Sequence, residues 1–316
     1  MIITWTRTVG FPFNSPVTTT ASARQGAALT VTSMASVQLG AAIAIGLIGD
    51  LGPAGVAWLR LIWAGVLLVL IARPRRAAFT RTSLLSCVLL GATTAGFTLF
   101  FMAAVARIPL GTASALEFLG PLTVAIVKGR GRYRLVLPAL AAAGVVLLTE
   151  PWAGAIDHVG VFYALGSAAC LIAYILLTQR VSDEVDGIAG LAVSIPVAAL
   201  IATVVNGPVV IEHLSPRLAV AGLGLAILFP VIPFVLEMQA LRRMSAAAFG
   251  TLISLEPAFA MLMGLVIVHQ VPRPTALAGV ALVVLAGIGA ARTGSRDHAP
   301  AMVELSDDRT GNRQPA

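Results

Sequence analysis

The chain has 316 residues, of which 58% are hydrophobic and only 11% charged, and its mean hydropathy is +0.93. An ordinary soluble domain is about 25% charged, so a soluble globular protein is excluded; no weakly alternating ten-residue segments are visible, which argues against a transmembrane β-barrel. The net charge of +7 comes from arginines in short segments between apolar runs, so nucleic acid is not expected as a partner.

Residues 1–27 are rich in Thr, Ser and Pro and lack the apolar core of a signal peptide. They read as a disordered cytoplasmic leader. Ten apolar spans are predicted near 28–48, 53–71, 83–105, 110–127, 135–150, 159–178, 188–206, 218–241, 246–268 and 275–291. The polar stretch 293–316 reads as a disordered cytoplasmic tail. Placing the N-terminus inside puts seventeen Lys and Arg on inner segments and three, Arg107, Arg217 and Arg273, on outer ones. The excess of positive charge therefore predicts both termini in the cytoplasm.

Ten spans divide into five and five, 28–150 and 151–292, with opposite orientations. The predicted fold is thus all-α and polytopic, with ten transmembrane helices as two inverted five-helix repeats. One phrase supports the duplication. Gly111-Thr112 precedes Glu117 by the same offset as Gly250-Thr251 precedes Glu256, 139 positions later.

Both acids fall mid-span, where an ionisable side chain is disfavoured by roughly 3 kcal/mol or more and marks a functional site by default. Glu237 lies in the eighth span, and Arg60 and Gln38 lie inside the second and first. A charged Arg at that depth must face the interior and find a partner, and the acids supply candidates. One alternative is a buried Arg–Glu pair that only locks helices together. Another, for Gln38, is an amide that only joins helices. Tyr174, in the sixth span, could hydrogen-bond a substrate or simply pack.

Proline placement sharpens the pattern. Pro121 removes the donor to the carbonyl of Glu117, Pro257 that to Ile253, Pro233 that to Phe229 and Pro230 that to Ala226. With Gly120, these positions are the expected hinges, since freed carbonyls in a membrane need protein or water partners. Cys87 and Cys170 lie in apolar runs without disulfide or metal spacing. No nucleophile elbow, metalloprotease motif or nucleotide loop occurs, so no enzyme activity, cofactor or metal is expected. Transport would have to draw on an ion or substrate gradient.

The phrases Met34-Ala35-Ser36-Val37-Gln38, Leu59-Arg60-Leu61, Ile108-Pro109-Leu110-Gly111, Leu116-Glu117-Phe118, Leu236-Glu237-Met238 and Leu255-Glu256-Pro257-Ala258 together carry a resemblance. Across roughly residues 28–292 the chain resembles the drug/metabolite transporter superfamily, EamA type, and within it the bacterial inner-membrane threonine and homoserine exporters. That resemblance implies ten helices in inverted repeats, and export of small zwitterionic amino acids in exchange for protons across the lipid bilayer of the inner membrane. Two departures stand out. His269-Gln270 replaces a Gly-Glu ending of the ninth helix, and Phe97-Thr98-Leu99 replaces an Asn-Tyr pair in the third. Efflux of drugs or other metabolites is the alternative within the same fold, although aromatics make up only 6%. A non-transporting membrane scaffold would want a large folded region outside the membrane, and none is predicted.

Overall fold

The computed structural model describes residues 20–74, 79–128, 136–149, 157–185, 187–241, 243–244 and 246–293. The described residues are almost entirely helical, as apolar segments in a hydrocarbon environment must be, because every backbone N–H and C=O then finds a partner within its own segment. In chain order the helices are α1 (Thr20–Ala72), α2 (Arg81–Val105), α3 (Leu110–Glu117), α4 (Leu119–Lys128), α5 (Val136–Thr149), α6 (His158–Glu184) and α7 (Gly187–His213). There follow α8 (Pro216–Ala226), a π-helical segment (Ile227–Val231), α9 (Ile232–Leu241), α10 (Ala246–Ile253), α11 (Glu256–Val266) and α12 (Pro274–Thr293).

Among the described residues, five stretches are long and apolar enough to cross a membrane: Arg24–Ala72, Arg81–Val105, His158–Val181, Ala189–Asn206 and Ala248–Val266. Large apolar side chains point outward, among them Phe162, Leu200 and Val204, which is 85% exposed. Water would penalise such a surface and lipid does not.

α1 spans 53 residues, and the first two expected spans run through it without an intervening loop. An unbroken helix of that length would reach about 80 Å, far beyond a bilayer core of about 30 Å. Gly52 breaks it, with φ 67° and ψ 167°, and Pro53 follows. Gly40 of the first arm and Leu59 of the second meet the same partner, at Leu228 and Gly222, so the arms fold back beside each other. α1 also starts at Thr20, inside the stretch expected to be an unstructured leader. The reason is contact: Gly26 lies against Ala240 and Arg243, and Thr30 donates to the Gly26 carbonyl at 3.0 Å. The expected tail beyond 293, the inner loop through Arg130 and Arg132, and Glu150 lie outside the described residues.

α2 packs along α6, the second arm of α1 along α7, and α5 along α12. Small residues permit this closeness. A Cβ on Gly91 would come within 2.5 Å of the Ser194 carbonyl, and one on Gly120 within 2.7 Å of the Ala168 carbonyl. The main core joins α1, α2, α3 and α7 through Val56, Leu59, Met102, Leu110, Leu116 and Ala198, and a second core ties α5 to α12.

At one end of the bundle Asp157 caps α6, accepting from the Val159 and Gly160 amides at 2.9 and 3.1 Å, and it pairs with Arg107 at 2.8 Å. The Arg107 guanidinium, with those amides, holds the Asp157 carboxyl below the usual carboxylate range. A depressed folded-state value contributes stability above the unfolded value and loses it as pH falls through the folded one.

Two expectations follow for the purified protein in detergent. Gly91→Ala lowers stability by roughly 1–3 kcal/mol through overpacking, whereas Gly46→Ala, with nothing within 4 Å of the added carbon, leaves thermal unfolding unchanged or slightly higher. On acidification through the carboxylate range, wild type loses more of its melting temperature than Asp157→Asn, because only wild type has this carboxylate to protonate; equal losses would show that the cap and ion pair are idle.

Candidate functional site

Three of the expected spans are not continuous helices, and each is interrupted beside an acid. α3 ends at Glu117 and the chain turns at Phe118 before α4. α10 ends at Ile253, and α11 begins at Glu256 after the turn at Ser254 and Leu255. Between α8 and α9 the π segment holds Phe229 in an extended conformation, one turn before Pro233. The interruptions fall where Pro121, Pro257, Pro230 and Pro233 remove backbone donors. Gly120 is less an opening of its helix than a point of close contact, since α6 runs directly against it.

The two turns lie side by side. A Cβ on Gly287 of α12 would meet both the Ser254 hydroxyl, at 2.7 Å, and the Phe118 ring, at 2.8 Å. Beyond the turns, α3 and α11 pack reciprocally through glycines: Gly111 against Met261 and Gly264 against Leu110. Gln270 completes this junction, its Oε1 accepting the Leu110 amide at 2.9 Å and so capping α3 where Pro109 offers no side-chain cap. His269, at φ 59°, turns the chain into that position. A cavity of about 280 Å³ opens beside the junction, lined by Arg107, Asp157, Gly111, Met261, Gln270 and Arg273 among others.

The polar groups inside the bundle are tied one by one. Ser33 donates to Glu237 Oε1 at 2.8 Å. Ser36 donates to the Leu228 carbonyl in the π segment at 2.9 Å. Gln38 donates through Nε2 to Glu256 Oε1 at 3.2 Å. All three sit on the first arm of α1. From α6, Ser167 donates to Glu117 Oε1 and lies 3.0 Å from the Phe97 carbonyl.

Arg60 makes no ion pair with any of the three candidate acids, none of which lies within 4 Å of it. Its Nη2 donates to Thr98 at 3.2 Å, and its guanidinium carbon stands 4.5 Å from the centre of the Phe229 ring. Arg60 is only 8% exposed, and a hydroxyl and an aromatic face hold it there. Glu117 remains within electrostatic reach of Arg60 and of Glu256, and Glu237 within reach of Glu256. Tyr174 packs edge-on against Phe97, with ring centres 5.4 Å apart.

Arg60, Gln38, Glu117, Glu237 and Glu256 are thus brought to one interior region, with Tyr174 at its α6 side. Ser33, Ser36, Thr98, Ser167 and Phe229 were not anticipated as part of it. Four are small hydroxyl residues in apolar runs, which sequence alone cannot separate from packing residues. Thr98, however, stands in the unusual Phe97-Thr98-Leu99 phrase, and Gln270 stands in the other departure.

A helical bundle with membrane-length apolar helices, and with acids and an arginine turned inward, defines a polytopic membrane protein of the transporter class. The EamA-like transporter family matches residues 158–291. The chain is 35% identical over 265 residues to the threonine/homoserine exporter RhtA of Escherichia coli strain K12, covering 83% of this chain and 89% of that one. It is equally similar, over 269 residues, to the protein of the same name from Salmonella typhimurium strain LT2, covering 83% and 88%. The chain belongs to the EamA-like transporter family. A solved structure, described only as a crystal structure of a protein, superposes with a TM-score of 0.53 at 16% identity, over 86% of this chain and 97% of its own. At that identity it speaks for the fold alone.

A double-mutant cycle tests how Arg60 is held. Thr98→Val and Phe229→Leu each lower stability by about 1 kcal/mol in wild type but by far less in an Arg60→Leu background. Fully additive losses in thermal unfolding would mean that neither residue acts through Arg60.

Proposed function

We propose that the chain is a secondary active exporter of small zwitterionic amino acids, of the threonine and homoserine kind, in the bacterial inner membrane, exchanging substrate for protons by alternating access. The observation that carries it is the convergence of one arginine and three carboxylates, from α1, α3, α9 and α11, beside interrupted helices. A zwitterion needs both signs: its carboxylate a cation, its ammonium a carboxylate. The names of the two bacterial relatives supply the substrate class.

The packing is what ten spans in two inverted repeats, 28–150 and 151–292, would produce. α2 against α6 is mirrored by the first arm of α1 against the π segment and α9. The second arm of α1 against α7, α3 against α11, and α5 against α12 would each lie on the pseudo-two-fold axis. In this scheme both termini are cytoplasmic, and the junction of α3 with α11 closes the outer end.

Arg60 is the anchor for the substrate carboxylate. Among the described residues Thr98 accepts from one of its five N–H donors, so a planar carboxylate can take others. Glu117 is the proton carrier. It ends α3, and among the described residues the Ser167 hydroxyl donates to it, a neutral group that can stay whether or not the acid is ionised. Glu256 begins α11, where the helix dipole favours negative charge. Glu237, Gln38 and Tyr174 complete the lining. Pro121, Pro230, Pro233 and Pro257, with Gly120, mark the hinges about which the inner and outer helix halves swing.

The test is efflux of labelled threonine from proteoliposomes under an imposed pH gradient. Wild type builds a substrate gradient. Glu117→Gln inserts and folds but builds none, while Glu256→Gln retains part of the activity. Arg60→Lys loses at least about tenfold in transport, since a point charge cannot replace the planar fork. Wild-type rates in Glu117→Gln would make that acid structural. Cysteines placed at position 130 should label only from the cytoplasmic side.

A further inference from the structure

Gln38 is 2% exposed, and its amide is half satisfied. Nε2 donates to Glu256 Oε1 at 3.2 Å, so the amide's donor end faces the acid. Oε1 is then turned away, shows almost no accessible surface and has no hydrogen-bond partner among the described residues. Buried polar atoms normally have one. The nearest hydroxyls along the same arm are already committed, Ser33 to Glu237 and Ser36 to the Leu228 carbonyl. A buried acceptor held in place by a candidate substrate-site acid can take a donor that arrives with the ligand.

Two ligand donors are possible, an ammonium or a hydroxyl. The ammonium is the charged end of the zwitterion, and three carboxylates in the same region match its charge. A neutral amide oxygen is matched by a neutral O–H. We propose that Gln38 is the specificity-determining residue: its Oε1 accepts the side-chain hydroxyl of a hydroxy amino acid, with the amide oriented by Glu256. This rests on the reading that these acids and Arg60 form the substrate site.

Threonine and homoserine lose their hydroxyl to give one and the same compound, 2-aminobutyrate. Proteoliposomes exchanging labelled threonine are therefore competed with threonine, homoserine, 2-aminobutyrate and valine, valine being threonine with a methyl in place of the hydroxyl. In wild type the two hydroxy amino acids compete at concentrations about tenfold lower than 2-aminobutyrate or valine, the size of one buried hydrogen bond. Gln38→Met raises the threonine constant about tenfold and that of 2-aminobutyrate by no more than about threefold, so the preference falls to about threefold or less. Gln38→Asn, which withdraws the same amide by one methylene, serves as the second variant and loses the preference too. Equal competition by 2-aminobutyrate in wild type overturns the proposal and leaves Oε1 to the ammonium. An undiminished preference in whichever variant transports overturns it as well. If wild type exchanges no amino acid at all, the exporter reading falls and takes this proposal with it.

Discussion

Hydrocarbon offers no partner to a carbonyl, a hydroxyl or a charge, and each helix interruption in this chain creates groups that need one. The arrangement of the interior follows from that constraint. The π segment leaves the Leu228 carbonyl to be met from outside its own helix, and Ser36 meets it from α1. Pro109 gives α3 no side-chain cap, and Gln270 caps it from across the bundle. Most interruptions are thereby bound to a specific neighbour, and the neighbours sit on the first arm of α1, on α6 and on the connection into α12.

The same constraint separates the three acids. Each has a neutral donor from another helix: Ser167 for Glu117, Ser33 for Glu237 and Gln38 for Glu256. None is locked into an ion pair with Arg60. A locked pair would be held by strong attraction at low dielectric and would resist any change in its members. Neutral partners leave the acids and the arginine available to a ligand of mixed charge. The two acids in equivalent sequence positions also differ in their helices, since one ends α3 and the other begins α11. A duplicated phrase therefore gives two unlike environments.

The long helices form a closely packed frame. α2 meets α6 and α7 with no room for a methyl at Gly91, and α5 meets α12 through facing Gly144 and Gly279. Against that frame, α3, α4, α10 and α11 are short rods joined by turns, and rods of 8 to 11 residues can tilt about their joints without breaking long hydrogen-bonded ladders.

Composition and apolar run length alone were enough to determine a helical membrane protein, because burying backbone in lipid leaves few other structures. The positions of Glu117, Glu256, Glu237, Arg60 and Gln38 in apolar runs were legible for the same reason: a polar side chain there is too disfavoured to be accidental. The prolines likewise located the interruptions, since a missing N–H acts within its own helix. Partnership was not legible. Sequence offered an acid for Arg60, and the tertiary structure supplied Thr98 and Phe229 instead, because which groups meet depends on how α1, α2 and the π segment are set side by side. Ser33, Ser36 and Ser167 look like packing residues in a one-dimensional reading, and only the approach of α1 to α9 and of α6 to α3 makes them ligands of carboxylates and carbonyls. The fold class is fixed by local solvation, which every residue carries with it; the site is fixed by distances between helices far apart in the chain, which no residue carries alone.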